Sequence, residues 1–590
     1  MTVKLYIKDA CKSNLQQEKH IPEIRSKLYK RLFEFYQKLH QNPSELTVDA
    51  AAKEYEQAIK DQIQLVDQLY SIPIYRAERE EYLQLYSIWS FCNLLFFDSF
   101  ENNHELSVAL MQWYNKTNRR AFYEYNTVNI FTQHPLDHPD FWPYLIRMAT
   151  LGELQIIANT LHRVLSLCQK EDDTNLYSYF RELREMLRDT DYSTITSRNK
   201  IDRTRLLQWM QALSKDSNHS KQFWTLLAIL TGNDESIIKQ HAQDELHAFI
   251  CCFYFNPDRY TSTTSIYEMA IKEFDKVPQD IYKSLLVGNL TQAIQESINY
   301  DWCFLAHLVD LFVLKNKLEM KTVNVHVSDG SIVTVPVQYH FILFYASFIK
   351  NNFGLWETAF NYMLTCDEWG REALVEHLKE TDLNTENTIF QAIVQFCMKH
   401  NLEEIGLGLL EKKANSCLET KDYKAAINYY QQIKSSNEID HVFYAIIEDY
   451  TKTQTLFDLS DLNICKGICY KVYRYLWHMQ SLELDNIAVE LFKELIHDDC
   501  TPISLLPLIL WQGLQFLEDQ SKFSQLSKLD LLQVKKQWQK LNNSDLKSNF
   551  ELFHHFHQSL NHTTDSVEAS MLEFLNETGV CFCKALEMKE

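Results

Sequence analysis

Glu494 and His497 stand three residues apart in Glu494-Leu495-Ile496-His497. This spacing places a carboxylate and an imidazole on one helix face, as di-iron bundles require. Such a centre also needs a second motif of the same kind and two further facing carboxylates. No matching pattern occurs, so the pair reads as a solvated helix end. Cys465 and Cys469 lie one turn apart, as zinc ligands do, with no second Cys or His pair nearby to complete a tetrahedral set. His554, His555, His557 and His562 cluster without a set of partner carboxylates and read as ordinary surface and core histidines. Cys581 and Cys583 are two apart and cannot share a helix face. The chain has no Gly-rich phosphate loop with its Lys, no dinucleotide fingerprint and no nucleophile elbow. The sequence thus predicts no catalytic residue, no cofactor and no metal, and the chain reads as something other than an enzyme.

The elements that carry these residues are helices. The organising stretch is Asp140 to Leu161, read as two helices folded back on each other. Asp140 is placed to cap the first, with Phe141, Trp142 and Pro143 in its opening turn. Phe141, Tyr144, Leu145 and Met148 form one apolar stripe; Gly152 supplies the turn, and Leu154, Ile157, Ala158 and Leu161 line the return. Looser copies of the turn and second helix occur at Val287-Gly288-Asn289-Leu290, Asn352-Phe353-Gly354-Leu355, Asn401-Leu402 and Asp422-Tyr423. A helix pair cannot bury its apolar face alone, so several at irregular spacing predict an irregular all-α solenoid.

Composition agrees with stacked helices. The 590 residues hold only 11 Gly and 11 Pro, which suits helices joined by short loops, and 31 Tyr and 34 Phe, which supply apolar surface to bury. A formal charge of −21 with only short basic runs, such as Arg25 to Arg31, argues against nucleic acid as a direct ligand. The 14 Cys are scattered in apolar helical contexts and read as reduced, buried small hydrophobes. The charged start lacks a signal-peptide core, and the runs Ile88 to Phe97 and Phe341 to Ile349 are too short to cross a bilayer. These features predict a soluble intracellular protein.

Along the chain, Val3, Leu5 and Ile7 alternate as one short strand would. Long stripes predict helices after Pro22, from Ala51 to Tyr70, and from Arg76 to Phe97. Leu246 to Phe255 is apolar all round, as an interior helix is. Val323 to Val327 and Ile332 to Val335, joined through Ser328-Asp329-Gly330, make a β-hairpin near 323–335. The hairpin packs on the helices or extends a partner's sheet. The texture changes near 412–435. The expected layout is a short extension over 1–20, a fold-back helical region over 21–430 and a helical tail over 431–590. Structural or interface roles fall to Phe141, Trp142, Gly152, Phe253, Trp302, Trp356, Tyr423 and Phe582.

Three stretches carry a family resemblance. Phe141-Trp142-Pro143-Tyr144-Leu145 is followed by Gly152-Glu153-Leu154. Tyr339 to Lys379 includes Tyr345-Ala346, Leu355-Trp356, Ala359 and Gly370-Arg371. The tail runs from Asp422-Tyr423 through Ala425-Ala426 to Cys583-Lys584-Ala585-Leu586. From about residue 20 onward the chain resembles the scaffold nucleoporin family of the short arm of the Y-shaped nuclear pore subcomplex. It departs at Leu151, where members carry an arginine before the glycine. The resemblance implies a J-shaped fold-back trunk, a crown made by a hairpin of helices, and a separate tail. It also implies nuclear pore localisation peripheral to the nuclear envelope, and support of protein transport and mRNA export. The implied partners are helical scaffold nucleoporins at crown and tail and an open β-propeller nucleoporin completed by an N-terminal blade. Only Val3 to Ile7 could belong to that blade here. A vesicle-coat or vacuolar-membrane coat scaffold of the same helical class is the alternative, distinguished by localisation. A helical-repeat regulatory subunit is a second one; its usual terminal winged helix would bring strands after residue 440, where none is expected.

Overall fold

The structure, a computed structural model, describes residues 20–41, 46–68, 73–117, 135–167, 174–188, 202–213, 218–232, 234–257, 270, 280–298, 300–318, 321–326, 332–383, 385–459, 467–480, 486–542, 547–560 and 566–589. The possible strand at Val3 to Ile7, Cys465, His562 and the turn of the hairpin lie outside them. Nearly all described elements are helices, and the chain packs as two compact units, residues 1–374 and 375–590. The break between units thus falls ahead of the change in sequence texture at 412–435.

The first unit doubles back in nested layers. His20–Gln41, Val48–Gln68 and Pro73–Cys92 pack in sequence order and then lie against the returning helices Ile281–Leu286, Trp302–Leu314 and Trp356–Leu364. Inside that layer Asn103–Thr117 packs on Glu245–Phe255, and Phe141–Thr150 packs on Asn218–Thr231. Leu154–Leu167 and Thr174–Arg188 form the innermost pair. This is the fold-back solenoid expected from the sequence, and each apolar stripe is buried by a neighbour rather than by its own helix. Leu246 to Phe255 are all buried, as their all-round apolarity requires.

The turn copies share one backbone device. Gly152, Gly288, Gly354, Asn401 and Lys421 all have positive φ, between 57° and 75°. In four of them the next amide reaches back to the carbonyl five residues earlier: Glu153 to Met148, Asn289 to Ser284, Leu402 to Cys397 and Asp422 to Cys417, at 2.8–2.9 Å. This left-handed cap satisfies carbonyls that the helix end would otherwise leave unpaired. The following residue then starts the next helix; the Asn289 and Asp422 side chains accept from the Gln292 and Ala425 amides.

Local departures from the sequence reading have identifiable causes. Asp140 makes no side-chain cap; only its carbonyl takes part, accepting from Tyr144 at 2.9 Å. The predicted helix through Phe97 ends in a π turn over Asn93–Phe97. There the buried Asn93 donates to Ala52 O and Glu56, and the widened turn sets both Phe96 and Phe97 on Phe312. Leu246 to Phe255 belongs to Glu245–Phe255, which is separate from Glu235–His241 because Asp244 caps it by accepting from the His247 amide at 2.7 Å. Ile503–Leu505, Leu506–Gly513 and Gln515–Glu518 follow one another as separate short helical segments. The hairpin strands Thr322–His326 and Ile332–Pro336 pair antiparallel with Val325 opposite Val333, and both pack on Val337–Phe353.

In the second unit helices from Asn387 to Met479 stack pairwise along the chain. Farther on, Leu506–Gly513 is an interior helix, with Leu506, Leu508, Ile509 and Leu510 fully buried. It touches Lys528–Asn542, Glu551–Ser559 and Val567–Lys589, which close around it.

Candidate functional site

The residues with the most chemistry lie in the seam where the two arms of the first unit meet. Trp302–Leu314 is apolar except for His307 and Asp310, both fully enclosed. Asp310 is held between elements: His40 Nε2 stands 3.0 and 3.1 Å from its two oxygens, and Gln338 Nε2 donates to Oδ1. Burial opposes charge on His40, but the hydrogen bond and charge of Asp310 outweigh it and hold His40 above its ordinary value. His307 Nδ1 faces the Cys303 carbonyl at 2.6 Å and Nε2 faces the Tyr362 hydroxyl at 2.9 Å. The carbonyl can only accept, so Nδ1 carries the proton and Nε2 accepts from Tyr362. Burial lowers the His307 pKa, in keeping with that neutral ring.

Aromatic rings line much of the rest of the seam, around a cavity of about 20 Å³ walled by Tyr29, Tyr55, Trp89, Asp301 and His307, where the Tyr55 hydroxyl is enclosed without a hydrogen-bond partner. Tyr55 meets Trp89 at 5.3 Å and His307 at 4.9 Å; Trp89 meets Phe304 at 5.2 Å; Tyr36 and Phe33 meet Tyr362 at 4.9 and 4.6 Å. Further ties run Tyr29 to Asp301 at 3.2 Å, Tyr36 to Thr365 at 2.8 Å and Lys315 to Asp49 at 2.6 Å. These groups point at one another and join the arms. The sequence reading missed them. The available signal was an ionisable pair, His307 and Asp310, inside an otherwise apolar helix, since buried charge requires partners.

The residues singled out from sequence fall elsewhere, and most are internal. Phe141 and Trp142 are buried edge-to-face at 5.2 Å, and Trp142 Nε1 donates to His219 Nδ1 at 3.2 Å. Phe253, Tyr423 and Phe582 are buried; Tyr423 donates to Asp449 at 2.6 Å. Trp302 and Trp356 are half-buried against Phe344 and Phe360. Leu151 is fully buried, and its carbonyl accepts from the Asn115 amide at 2.7 Å. Gly152 has φ +69°, and a Cβ there would stand 2.9 Å from the Tyr254 ring and 3.1 Å from Met111. Gly152→Ala is therefore expected to destabilise the first unit by about 2 kcal/mol from left-handed strain and crowding, read as a lower denaturation midpoint.

The chemical candidates are dispersed. Glu494 pairs with Lys471 at 3.2 Å and His497 with Asp530 at 2.9 Å, so the two are tied to different partners. Cys469 is buried, and its thiol is pushed up to about 12 by burial and the nearby Asp440. His554 meets Ser570 at 2.9 Å, and His557 stands 3.4 Å from Glu573, a carboxylate the sequence reading did not pair with it. Cys581 and Cys583 are exposed. Among the described residues, no three His, Cys, Asp or Glu side chains converge as metal ligands, and no helix is long and apolar enough to cross a membrane.

The first unit is thus a doubled-back α-helical stack, a helical solenoid tied across its arms by buried pairs such as His40–Asp310 and His307–Tyr362. The chain belongs to the Nup85 nucleoporin family: residues 7–536 match the family described as Nup85 Nucleoporin. It is 23% identical over 337 residues to Nucleoporin nup85 of Schizosaccharomyces pombe, covering 53% of this chain and 49% of that protein. It is 20% identical over 459 residues to Nuclear pore complex protein Nup85 of Danio rerio, covering 73% and 68%. The match thus spans about half the length of the fission yeast relative. Among solved structures, Nic96 SOL of Chaetomium thermophilum aligns with TM-score 0.34 and 10% identity, over 97% of this chain and 100% of that one. Family membership puts the chain at the nuclear pore complex in the nuclear envelope, and does not favour the coat alternative.

Proposed function

We propose that this chain is a structural scaffold subunit of the Y-shaped nuclear pore subcomplex. It holds partner nucleoporins at fixed spacing, and so supports pore assembly, protein transport and mRNA export. Its work is geometric rather than catalytic. The observation that carries this reading is the seam: Tyr29, Tyr36, His40 and His307 are bonded across the fold-back to Asp301, Thr365, Asp310 and Tyr362, so these polar groups tie the arms together. A second helical nucleoporin would interlock with the crown, to which we assign the helices between Phe141 and Phe255. Since Leu246 to Phe255 are buried, they form the framework of that crown and leave contact to its outer helices.

The tail, residues 431–590, is assigned to the hub of the Y. In its support, exposed apolar side chains concentrate on its last long helices: Leu529 and Leu532 on Lys528–Asn542, and Leu572, Val580 and Met588 on Val567–Lys589. The two helices pack together, so these side chains belong to one paired element. A propeller partner would engage residues ahead of His20.

Affinity capture of the full chain, with stoichiometric partners identified, tests the proposal. Leu529→Glu with Leu572→Glu is expected to reduce recovery of hub nucleoporins at least about tenfold while the crown partner stays, because buried charge at an apolar contact is strongly unfavourable. Undiminished hub recovery would remove the tail assignment. Removing residues 431–590 is a poorer test, since that cut passes through the packed helices of the second unit.

A further inference from the structure

A groove of about 610 Å³ lies in the second unit between Asn387–Lys399 and Tyr423–Ile433. These are alternate members of the stack, since Glu403–Glu419 packs on both. Grooves between successive repeats are the surfaces that helical solenoids offer to elongated ligands. This one is lined by five primary amides, on Asn387, Gln391, Asn428, Gln431 and Gln432, with Tyr429 as its wall. No lining residue is charged, although the chain as a whole carries −21.

The amides are available. Tyr429 donates to Asn387 Oδ1 at 2.8 Å, which orients that amide with its Nδ2 group as the remaining donor. Gln391, Asn428, Gln431 and Gln432 are half-buried or exposed. Each of these groups offers a coplanar donor and acceptor, the same pair that a peptide unit presents. Asn387 and Gln391 are four residues apart on one helix, and Asn428 and Gln432 four apart on the other. That spacing rises about 6 Å along the axis, close to the ~6.6–6.8 Å two-residue repeat of an extended chain. An uncharged lining gives phosphate or carboxylate no counter-charge, and an amide-rich one gives an apolar helix little to bury against.

We infer that this groove binds an extended, uncharged segment of another polypeptide, gripped through its backbone by the five amides. The ligand class is a stretch of small and uncharged polar residues without regular secondary structure. This goes beyond the crown and tail contacts and does not depend on them.

The test uses the full chain and a fluorescein-labelled peptide of repeated Ser-Gly-Thr-Asn, followed by anisotropy. Saturable binding is expected. Gln391→Ala with Gln432→Ala should weaken it about tenfold, as should N-methylation of alternate peptide nitrogens, because each removes hydrogen bonds to the peptide backbone. Both positions are on the surface, and an unchanged melting curve shows that the variant is folded. Asn428→Asp with Gln431→Glu should shift preference toward the same peptide carrying Lys at alternate positions. Failure of the unmodified peptide to saturate would overturn the inference. So would equal binding of the N-methylated peptide, equal binding by the alanine variant, or tighter binding of an oligouridylate.

Discussion

Asp310→Ala is expected to destabilise the first unit by about 1–3 kcal/mol, the range for leaving hydrogen-bond partners at a buried site without their acceptor. Asp310 has no exposed surface, and its loss strands His40 and Gln338 at the seam. Hydrogen exchange should rise in Trp302–Leu314 and His20–Gln41 together, since the pair joins those two helices. His40 is the titrating member. Its folded-state value lies above 6.5, so its contribution is fully present below about 6.5 and is lost as pH rises through the raised value. His40→Gln should therefore differ most from the parent in mildly acidic buffer and converge with it at higher pH. The opposite sign belongs to His247, which burial lowers to about 4; its contribution holds above 6.5 and fades as pH falls toward 4. If the His40→Gln difference instead widened with rising pH, His40 would not be a charged partner of Asp310.

Gly370→Ala should cost about 3 kcal/mol or more, although glycine to alanine within a helix ordinarily gains about 1 kcal/mol. Gly370 lies in Asp367–Lys379, where a Cβ would overlap the Met363 carbonyl oxygen and stand 2.9 Å from the Cys366 Cβ. The obstacle is backbone, so no rotamer change relieves it and the turn after Trp356–Leu364 must open. That turn also carries Thr365, which meets Tyr36 across the seam, so the strain should reach the N-terminal helix. Differential scanning fluorimetry would register the loss. A higher midpoint for the alanine variant would mean that the two helices do not approach this closely.

Helices and turns were legible because their signals are local. Gly152, Gly288, Gly354 and Asn401 are residue types that tolerate positive φ, and each marks the end of one helix and the start of the next. Lys421 occupies the equivalent position, and nothing about a lysine announces it; there Asp422, the cap after it, carried the signal. The π turn at Asn93 was invisible because it depends on Ala52 and Glu56 from another helix. The seam was invisible for the same reason on a larger scale. Tyr36 and Thr365 are 329 positions apart, and no periodicity within one helix says which distant helix will cover it. Most of the residues chosen by type, such as Phe141 and Tyr423, are buried, because bulky aromatics signal burial without saying whose surface covers them.

The nested fold-back also sets a timetable for synthesis. Tyr29 leaves the ribosome 272 positions ahead of Asp301, its partner across the arms. At roughly 5–20 residues per second, the first helices wait about 15–50 s with their aromatic faces uncovered. During that interval the emerging arm presents a broad greasy surface that only the later helices cover, so the N-terminal arm is prone to self-association until Asp301 has been made.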